Sequence, residues 1–223
     1  MNTIFQQIHS DALWYGQVQR TGLLLRPFLY FYSIVPINSL FSLTIHRFGF
    51  WVNHRFGATH KGIFFRAFLK SIYWLGKYLS VIFLKIEIDE NAELGPAIWL
   101  SNKGNILLGL RVIGKQCIIN QNVTIGYGIG TGQKMGRPQL GDRIWIGTNS
   151  VIHGGITIGS GVLIMPDSVV GKNIPPNCIV GGNPARIVAR NVDITDRAIF
   201  AKYAGTKSKI FPIVKQGVLY KKH

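Results

Sequence analysis

Aliphatic residues recur every six positions through the middle of the chain. The series runs from Ile88 to Ile125 with one step of seven, is interrupted, and resumes from Leu140 to Val170. Its members are Ile88, Leu94, Leu100, Ile106, Ile113, Ile119, Ile125, Leu140, Ile146, Ile152, Ile158, Ile164 and Val170. A period of six fits neither the 3.6-residue turn of an α-helix nor the two-residue alternation of a strand. It predicts a coil with three flat sides, in which each hexapeptide points its aliphatic residue inward and successive coils pair in parallel.

Two hydrophobic stretches precede this repeat. Residues 62–84 place aromatic and aliphatic side chains at three- and four-residue steps, with two lysines and an arginine between them, which predicts an amphipathic helix. Such a helix commonly packs its apolar face on its own domain, and the alternative is an interfacial helix on anionic lipid. The stretch 27–45 is uncharged and long enough for a membrane span, but its proline, hydroxyl and amide side chains argue against one.

The charge of the chain is concentrated in its flanks. Of 223 residues, 47% are apolar and 26 are glycine, which excludes a disordered chain. The formal net charge is +16, to which residues 1–87 contribute +7, residues 88–188 contribute +3 and residues 189–223 contribute +6. The sequence therefore predicts a basic helical region that favours membrane association, a repeat domain and a basic tail. An anionic membrane surface is favoured as the partner of the flanks, and nucleic acid is disfavoured because no binding motif is present.

The cysteines and histidines restrict the chemistry further. Two cysteines, Cys117 and Cys178, are too few for a disulfide framework or a four-cysteine zinc site, and their places in the repeat predict buried packing. The repeat region holds one histidine, His153, so a three-histidine zinc site is excluded and no metal is expected. The first twenty residues lack the pattern of a secretory signal. These features predict a cytoplasmic protein, peripheral on the inner face of the cell membrane.

The repeat resembles the hexapeptide-repeat acyltransferases, and among them the serine acetyltransferase branch with its relatives in polysaccharide gene clusters. The matching segments are residues 86–100, 106–126 and 174–188. The resemblance implies a mainly β fold, a left-handed parallel β-helix with an N-terminal helical region, assembled as a homotrimer. It also implies transfer of an acetyl group from acetyl-CoA to a hydroxyl of serine or a similar small molecule, or of a sugar in a polysaccharide precursor. The basic, aromatic flanks favour the sugar.

The resemblance also locates the catalytic positions. In that family a histidine takes the proton of the attacking hydroxyl, and it stands in a pair directly after the third inward aliphatic residue. That residue is Leu100 here, so the pair falls on Ser101 and Asn102, and an asparagine accepts no proton near neutral pH. A second histidine, at the return of the loop 128–139, is replaced by Arg137, which can bind an anion but cannot act as a base. The alternative function is therefore a catalytically silent trimer that binds or scaffolds partners in polysaccharide biosynthesis.

No residue is singled out as a replacement for the missing base. His153 falls about three coils from Asn102, roughly 15 Å away at the spacing of a β-ladder, and is expected at the surface. Asp89, Glu90 and Glu93 lie in the first coil and are further candidates.

The cofactor positions agree better with the family pattern. The resemblance implies that the CoA arm lies in a groove between two subunits, held by backbone groups and basic side chains. The matching positions are Thr148, Pro166 and Lys172, and Arg186 is placed to meet a phosphate.

Overall fold

The computed structural model describes residues 4–18, 38–55, 63–128 and 135–194. Helix α1 spans Ile4–Val18, α2 spans Ser39–Arg55 and α3 spans Ile63–Leu79, followed by a π-helical turn over Ser80–Leu84. Most of the stretch 27–45 lies outside the described residues, and its last part forms the buried beginning of α2. The basic tail lies outside them beyond residue 194.

Fifteen short strands follow in the described part of the chain and form three sheets. The first sheet contains β1 (Ile86–Ile88), β4 (Ile106–Leu108), β7 (Thr124–Gly126), β10 (Val151–His153) and β13 (Val169–Val170). The second contains β2 (Glu93–Leu94), β5 (Val112–Ile113), β8 (Gln139–Leu140) and β11 (Thr157–Ile158). The third contains β3 (Trp99–Leu100), β6 (Ile118–Ile119), β9 (Trp145–Ile146), β12 (Leu163–Ile164), β14 (Cys178–Gly181) and β15 (Arg186–Arg190).

The chain visits the three sheets in turn, so three strands make one coil of a solenoid. Strands of successive coils pair in parallel, and only β14 and β15 among the described strands pair antiparallel. All thirteen residues of the sequence period are buried, each with at most 7% of its surface exposed. Each buried aliphatic side chain contributes about 1.5–3 kcal/mol to folding. The predicted mainly β fold, a parallel β-helix after N-terminal helices, is confirmed.

The register corrects the sequence period at one position. The period assigns Ile106 to the inward column of the first sheet, but the strand ladder aligns Leu108 with Ile88 and Ile125. Ile106 aligns instead with Ile86, two residues earlier in the strand and on the same face, and is buried there. The column of the first sheet therefore runs through Leu108.

The cause lies in the lengths of two corners. The chain takes eight residues from Leu100 to Leu108, where the corner between the third and first sheets is enlarged, and only five from Leu108 to Ile113. The long step and the short step nearly cancel, so the sequence shows only one step of seven residues where the regular step is six. Spacing alone could not separate them.

Gly104 lies in this enlarged corner and allows the chain to pass the end of the π-helical turn. Its φ is +70°, and a Cβ there would collide with the carbonyl oxygen of Leu84. We expect Gly104→Ala to lower the free energy of unfolding by about 3 kcal/mol, because backbone strain and a clash with main chain act together. Chemical denaturation measures this loss. Gly126→Ala is the control, since a Cβ on Gly126 meets no atom within 4 Å, and equal losses in both variants would contradict the explanation.

A buried ion pair joins the helices to the β-helix. The Arg47 guanidinium of α2 contacts the Asp11 carboxylate of α1, with 3.0 Å between Nε and Oδ2. Asp11 also accepts a hydrogen bond from the backbone N–H of Ile98, and Arg47 donates to the carbonyl oxygen of Gly95 at 2.6 Å. Asp11, Arg47 and Ile98 are buried, so these bonds fix the helices against the first coil.

Helix α3 contacts the rest of the domain through a different face from the apolar one that its period predicts. Its contacts with α2 are made by Tyr73, which lies against Gly49, and by Gly76, which lies against Ile45. The residues expected to pack inward are largely exposed, and with their neighbours they form the outer apolar surface. This surface consists of Phe64, Phe65, Phe68, Ile72, Trp74, Leu75, Tyr78, Val81, Ile82 and Phe83. The helix therefore packs on its own domain through Tyr73 and Gly76, whereas the apolar face given by its period is left exposed.

Candidate functional site

Asn102 is engaged in a structural contact. It lies at the corner between the third and first sheets, and its Oδ1 accepts hydrogen bonds from the backbone N–H and the hydroxyl of Ser39, at 3.0 and 2.6 Å. Ser39 is the first residue of α2, where helix N–H groups lack partners within the helix. Asn102 therefore anchors the start of this helix to the β-helix.

The neighbours of Asn102 extend this junction. The carbonyl oxygen of Leu100 accepts a hydrogen bond from the hydroxyl of Tyr15 at 2.5 Å, and it lies 2.6 Å from Ser39 Oγ, whose single proton goes to Asn102 Oδ1. Burial raises the pKa of the Tyr15 hydroxyl well above its usual range, so it remains a donor. The buried Ser101 donates its hydroxyl to the side chain of Gln121 at 3.2 Å. None of these contacts supplies a group that accepts a proton near neutral pH.

Arg137 forms an ion pair with Asp89 that the sequence did not reveal. One guanidinium nitrogen lies 2.9 Å from Asp89 Oδ1, and the carboxylate also accepts the backbone N–H of Asn91 at 2.9 Å. Partial burial raises the pKa of Asp89, but the hydrogen bond and charge of Arg137 outweigh it and hold the pKa below the ordinary value. Asp89 is therefore ionised near neutral pH and is a weak base.

A cavity of about 400 Å³ surrounds Arg137 between β1 and α3. Asp89 and Glu90 both line it, together with Trp74 and Lys77 of α3. Glu93, the third acidic candidate, lines a separate cavity of about 170 Å³ beside α2. The structure thus brings two of the three carboxylates to Arg137.

Asn102 and Arg137 lie at different corners of the β-helix. Asn102 follows β3 at the corner between the third and first sheets, whereas Arg137 precedes β8 at the corner between the first and second sheets. A single chain therefore does not bring the two predicted catalytic positions together.

The predicted cofactor residues divide between the same two corners. Lys172 and Arg186 line a cavity of about 490 Å³ together with His153, which is half-buried there. Thr148 and Pro166 lie on the column of Asn102, in successive coils of the corner between the third and first sheets. Within one chain they form two separate surfaces.

Both cysteines are buried, as predicted. Cys117 and Cys178 are at most 1% exposed, and burial raises the pKa of Cys117 to about 12. Neither thiol is suited to nucleophilic chemistry.

Comparison with known proteins assigns a class to this fold. The family described as bacterial transferase hexapeptide (six repeats) matches residues 137–172. The serine acetyltransferase of Synechococcus elongatus is 33% identical over 117 residues, which cover 51% of this chain and 47% of that protein. The chain spans about half the length of the curated relatives it matches.

Two solved structures share the fold. The serine acetyltransferase of Brucella abortus strain S19 in complex with coenzyme A is 23% identical, with a TM-score of 0.64 over 83% of this chain and 68% of that chain. The serine acetyltransferase of Neisseria gonorrhoeae in complex with serine is 24% identical, with a TM-score of 0.59 over 83% of this chain and 69% of that chain.

The coiled repeat has the architecture expected of the hexapeptide family whose model matches residues 137–172. Within that class, the predicted resemblance to the serine acetyltransferase branch of the acyltransferases is confirmed.

Proposed function

We propose that the protein is an acetyl-CoA-dependent O-acetyltransferase that acetylates the hydroxyl of serine or of a similar small molecule. The observation that carries the proposal is the cavity in which Lys172 and Arg186 meet on a hexapeptide β-helix. Its described lining holds these two cations and no carboxylate, a composition suited to the phosphates of CoA. The solved relatives bound to coenzyme A and to serine support the same donor and acceptor.

A homotrimer would unite the divided site. Thr148 and Asn102 face one corner of each chain, whereas Lys172 and Arg137 face the next. In such a trimer, the Asn102 corner of one copy would lie beside the Arg137 corner of its neighbour. The donor and acceptor would then lie between two copies of the chain.

The acceptor site proposed here is the cavity around Arg137. The guanidinium can take the carboxylate of a serine-like acceptor in a bidentate contact, in exchange for Asp89. The acceptor hydroxyl attacks the thioester carbonyl and gives its proton to solvent water, and the tetrahedral intermediate expels the CoA thiolate, which takes up a proton from water to leave as the thiol. Because Asn102 cannot take that proton, we expect slow transfer in comparison with an enzyme that has histidine at this position.

A second candidate function rests on the contact between Asn102 and Ser39. Because the Asn102 side chain is occupied by its hydrogen bonds to the start of α2, it fits a catalytically silent trimer that binds CoA but transfers no acetyl group. The named relatives are serine acetyltransferases, so they lend no support to a sugar acceptor or to a scaffold in polysaccharide biosynthesis.

Removal of either cation is expected to weaken CoA binding. We expect Lys172→Ala and Arg186→Ala each to raise the Kd for CoA about tenfold or more, since a charge-assisted hydrogen bond contributes about 1.5–3 kcal/mol. Isothermal titration calorimetry measures this change. Arg190→Ala is the matched control, because Arg190 is an exposed arginine outside the described lining of the cavity. An unchanged Kd for CoA in both Lys172→Ala and Arg186→Ala would show that CoA does not bind in this cavity.

The same titration tests the proposed function. Absence of CoA binding by the wild-type chain would overturn both the transferase and the silent trimer. Binding without transfer to serine would favour the silent trimer.

A further inference from the structure

The outer apolar surface of α3 and its π-helical turn is unusually exposed for a folded protein. Ten exposed large apolar side chains fall within twenty residues, among them Phe64 at 88%, Trp74 at 53% and Phe83 at 66% exposure. Continuous apolar patches of this kind are rare on the free surfaces of soluble proteins, and they mark contact with a partner or a membrane.

The charges around this surface identify the partner. Residues 63–86 contain four basic residues and no acidic residue, and Glu87, which directly follows, lies 3.9 Å from Lys77 Nζ. Arg66, Lys70 and Lys77 of α3 are only half-exposed and border the apolar side chains, and Lys77 Nζ lies 5.3 Å from the centre of the Trp74 ring. Aromatic side chains flanked by basic ones are typical of helices that lie in the headgroup layer of anionic membranes.

The inner side of α3 favours a helix that lies along the membrane over one that crosses it. By length and composition the segment Phe64–Leu84 could span a bilayer, with 21 residues and a mean hydropathy of 1.2. However, Tyr73 packs on Gly49, and the hydroxyl of Ser80 bonds that of Ser42 of α2 at 2.7 Å. Insertion across a bilayer would break these contacts, whereas docking in the interface keeps them.

A second copy of the chain fits this surface less well than anionic lipid. Two copies that met through the same patch would place identical rows of Arg66, Lys70 and Lys77 against each other. Lys77 already lies beside Glu87, and anionic headgroups would neutralise Arg66 and Lys70.

We propose that the outer apolar surface docks the protein on the interfacial layer of an anionic membrane, with α3 parallel to the bilayer plane. Trp74 and Lys77 also line the cavity around Arg137. If the proposed function holds, the acceptor cavity therefore opens beside the lipid headgroups.

Vesicle sedimentation of the full chain tests the docking independently of any enzymatic activity. Wild-type protein is mixed with phosphatidylcholine vesicles, with and without phosphatidylglycerol, at low and high salt. We expect sedimentation with the phosphatidylglycerol vesicles at low salt, reduced by high salt. The triple variant Phe64→Ser, Phe68→Ser, Leu75→Ser should partition at least about tenfold less, since each buried apolar side chain adds to binding. The control Phe5→Ser, Met135→Ser removes exposed apolar side chains elsewhere and should partition like the wild type.

Fluorescence gives a second measurement that requires no surface disruption. Brominated lipids in the phosphatidylglycerol vesicles should quench part of the wild-type tryptophan emission, and Trp74→Phe should remove that quenched part. Wild-type protein that stays in solution, or a triple variant that sediments like the wild type, would overturn the proposal. So would a triple variant that loses self-association instead of lipid binding. Protein in cell membranes that resists carbonate extraction would overturn it in favour of a span.

Discussion

Asp11→Ala is expected to lower the free energy of unfolding by about 3–5 kcal/mol, because it leaves the charge of Arg47 buried without its partner. Both side chains are at most 4% exposed, and the carboxylate also accepts the backbone N–H of Ile98. The loss should appear as a lower denaturation midpoint with an unchanged slope.

Two further variants isolate the buried charge as the cause. Glu93→Ala removes an exposed carboxylate from the first coil and should change stability by less than about 0.5 kcal/mol. The double variant Asp11→Leu, Arg47→Met should be more stable than Asp11→Leu alone, because it leaves no unpaired charge. If Asp11→Ala costs no more than Glu93→Ala, the ion pair does not hold the helices to the β-helix.

Asn102→His is expected to raise kcat/KM for acetyl transfer to serine about 10²-fold, the lower range of the contribution of a general base. The imidazole cannot keep both hydrogen bonds of Asn102 Oδ1: it gives up the backbone N–H of Ser39 and places Nδ1–H beside the hydroxyl of Ser39. That hydroxyl can donate its own proton to Leu100 O, at 2.6 Å, and accept one from Nδ1–H. This tautomer leaves Nε2 free to accept the proton of the attacking hydroxyl.

Two control variants test whether the gain in activity of Asn102→His comes from its ability to accept a proton or from the changed shape of the side chain. Asn102→Gln cannot accept a proton and should give no increase. Ser39→Ala combined with Asn102→His loses the group that fixes the tautomer and should give a smaller increase than Asn102→His alone. An Asn102→His variant that binds CoA normally but gains no activity would place the reacting hydroxyl away from this corner.

The sequence predicted the coil of the β-helix because its period is set by local chemistry. Every coil must point an aliphatic residue inward, and each of the thirteen residues in the series is buried. The assignment of Ile106 failed because one corner gained residues and the next lost one, which leaves the spacing nearly unchanged. Only the hydrogen-bond ladder distinguishes such compensating changes.

Other features depend on contacts between distant parts of the chain. Asn102 meets Ser39 across 63 positions, and Arg137 meets Asp89 across an interrupted repeat, so no local pattern predicts either pair. Helix α3 was predicted from its period, but a period does not state which face packs inward. Tyr73 and Gly76 form the packed side because their shapes fit α2, although the other side is more hydrophobic.

The most direct test of the proposed function is acetyl transfer by the purified full chain. Acetyl-CoA and serine are supplied together, and O-acetylserine and released CoA thiol are measured in parallel. We predict slow, saturable formation of both products in equal amounts, lost when serine is omitted and reduced in Arg137→Ala through a higher KM for serine. Bound CoA with neither product formed, at any serine concentration, would contradict the transferase function.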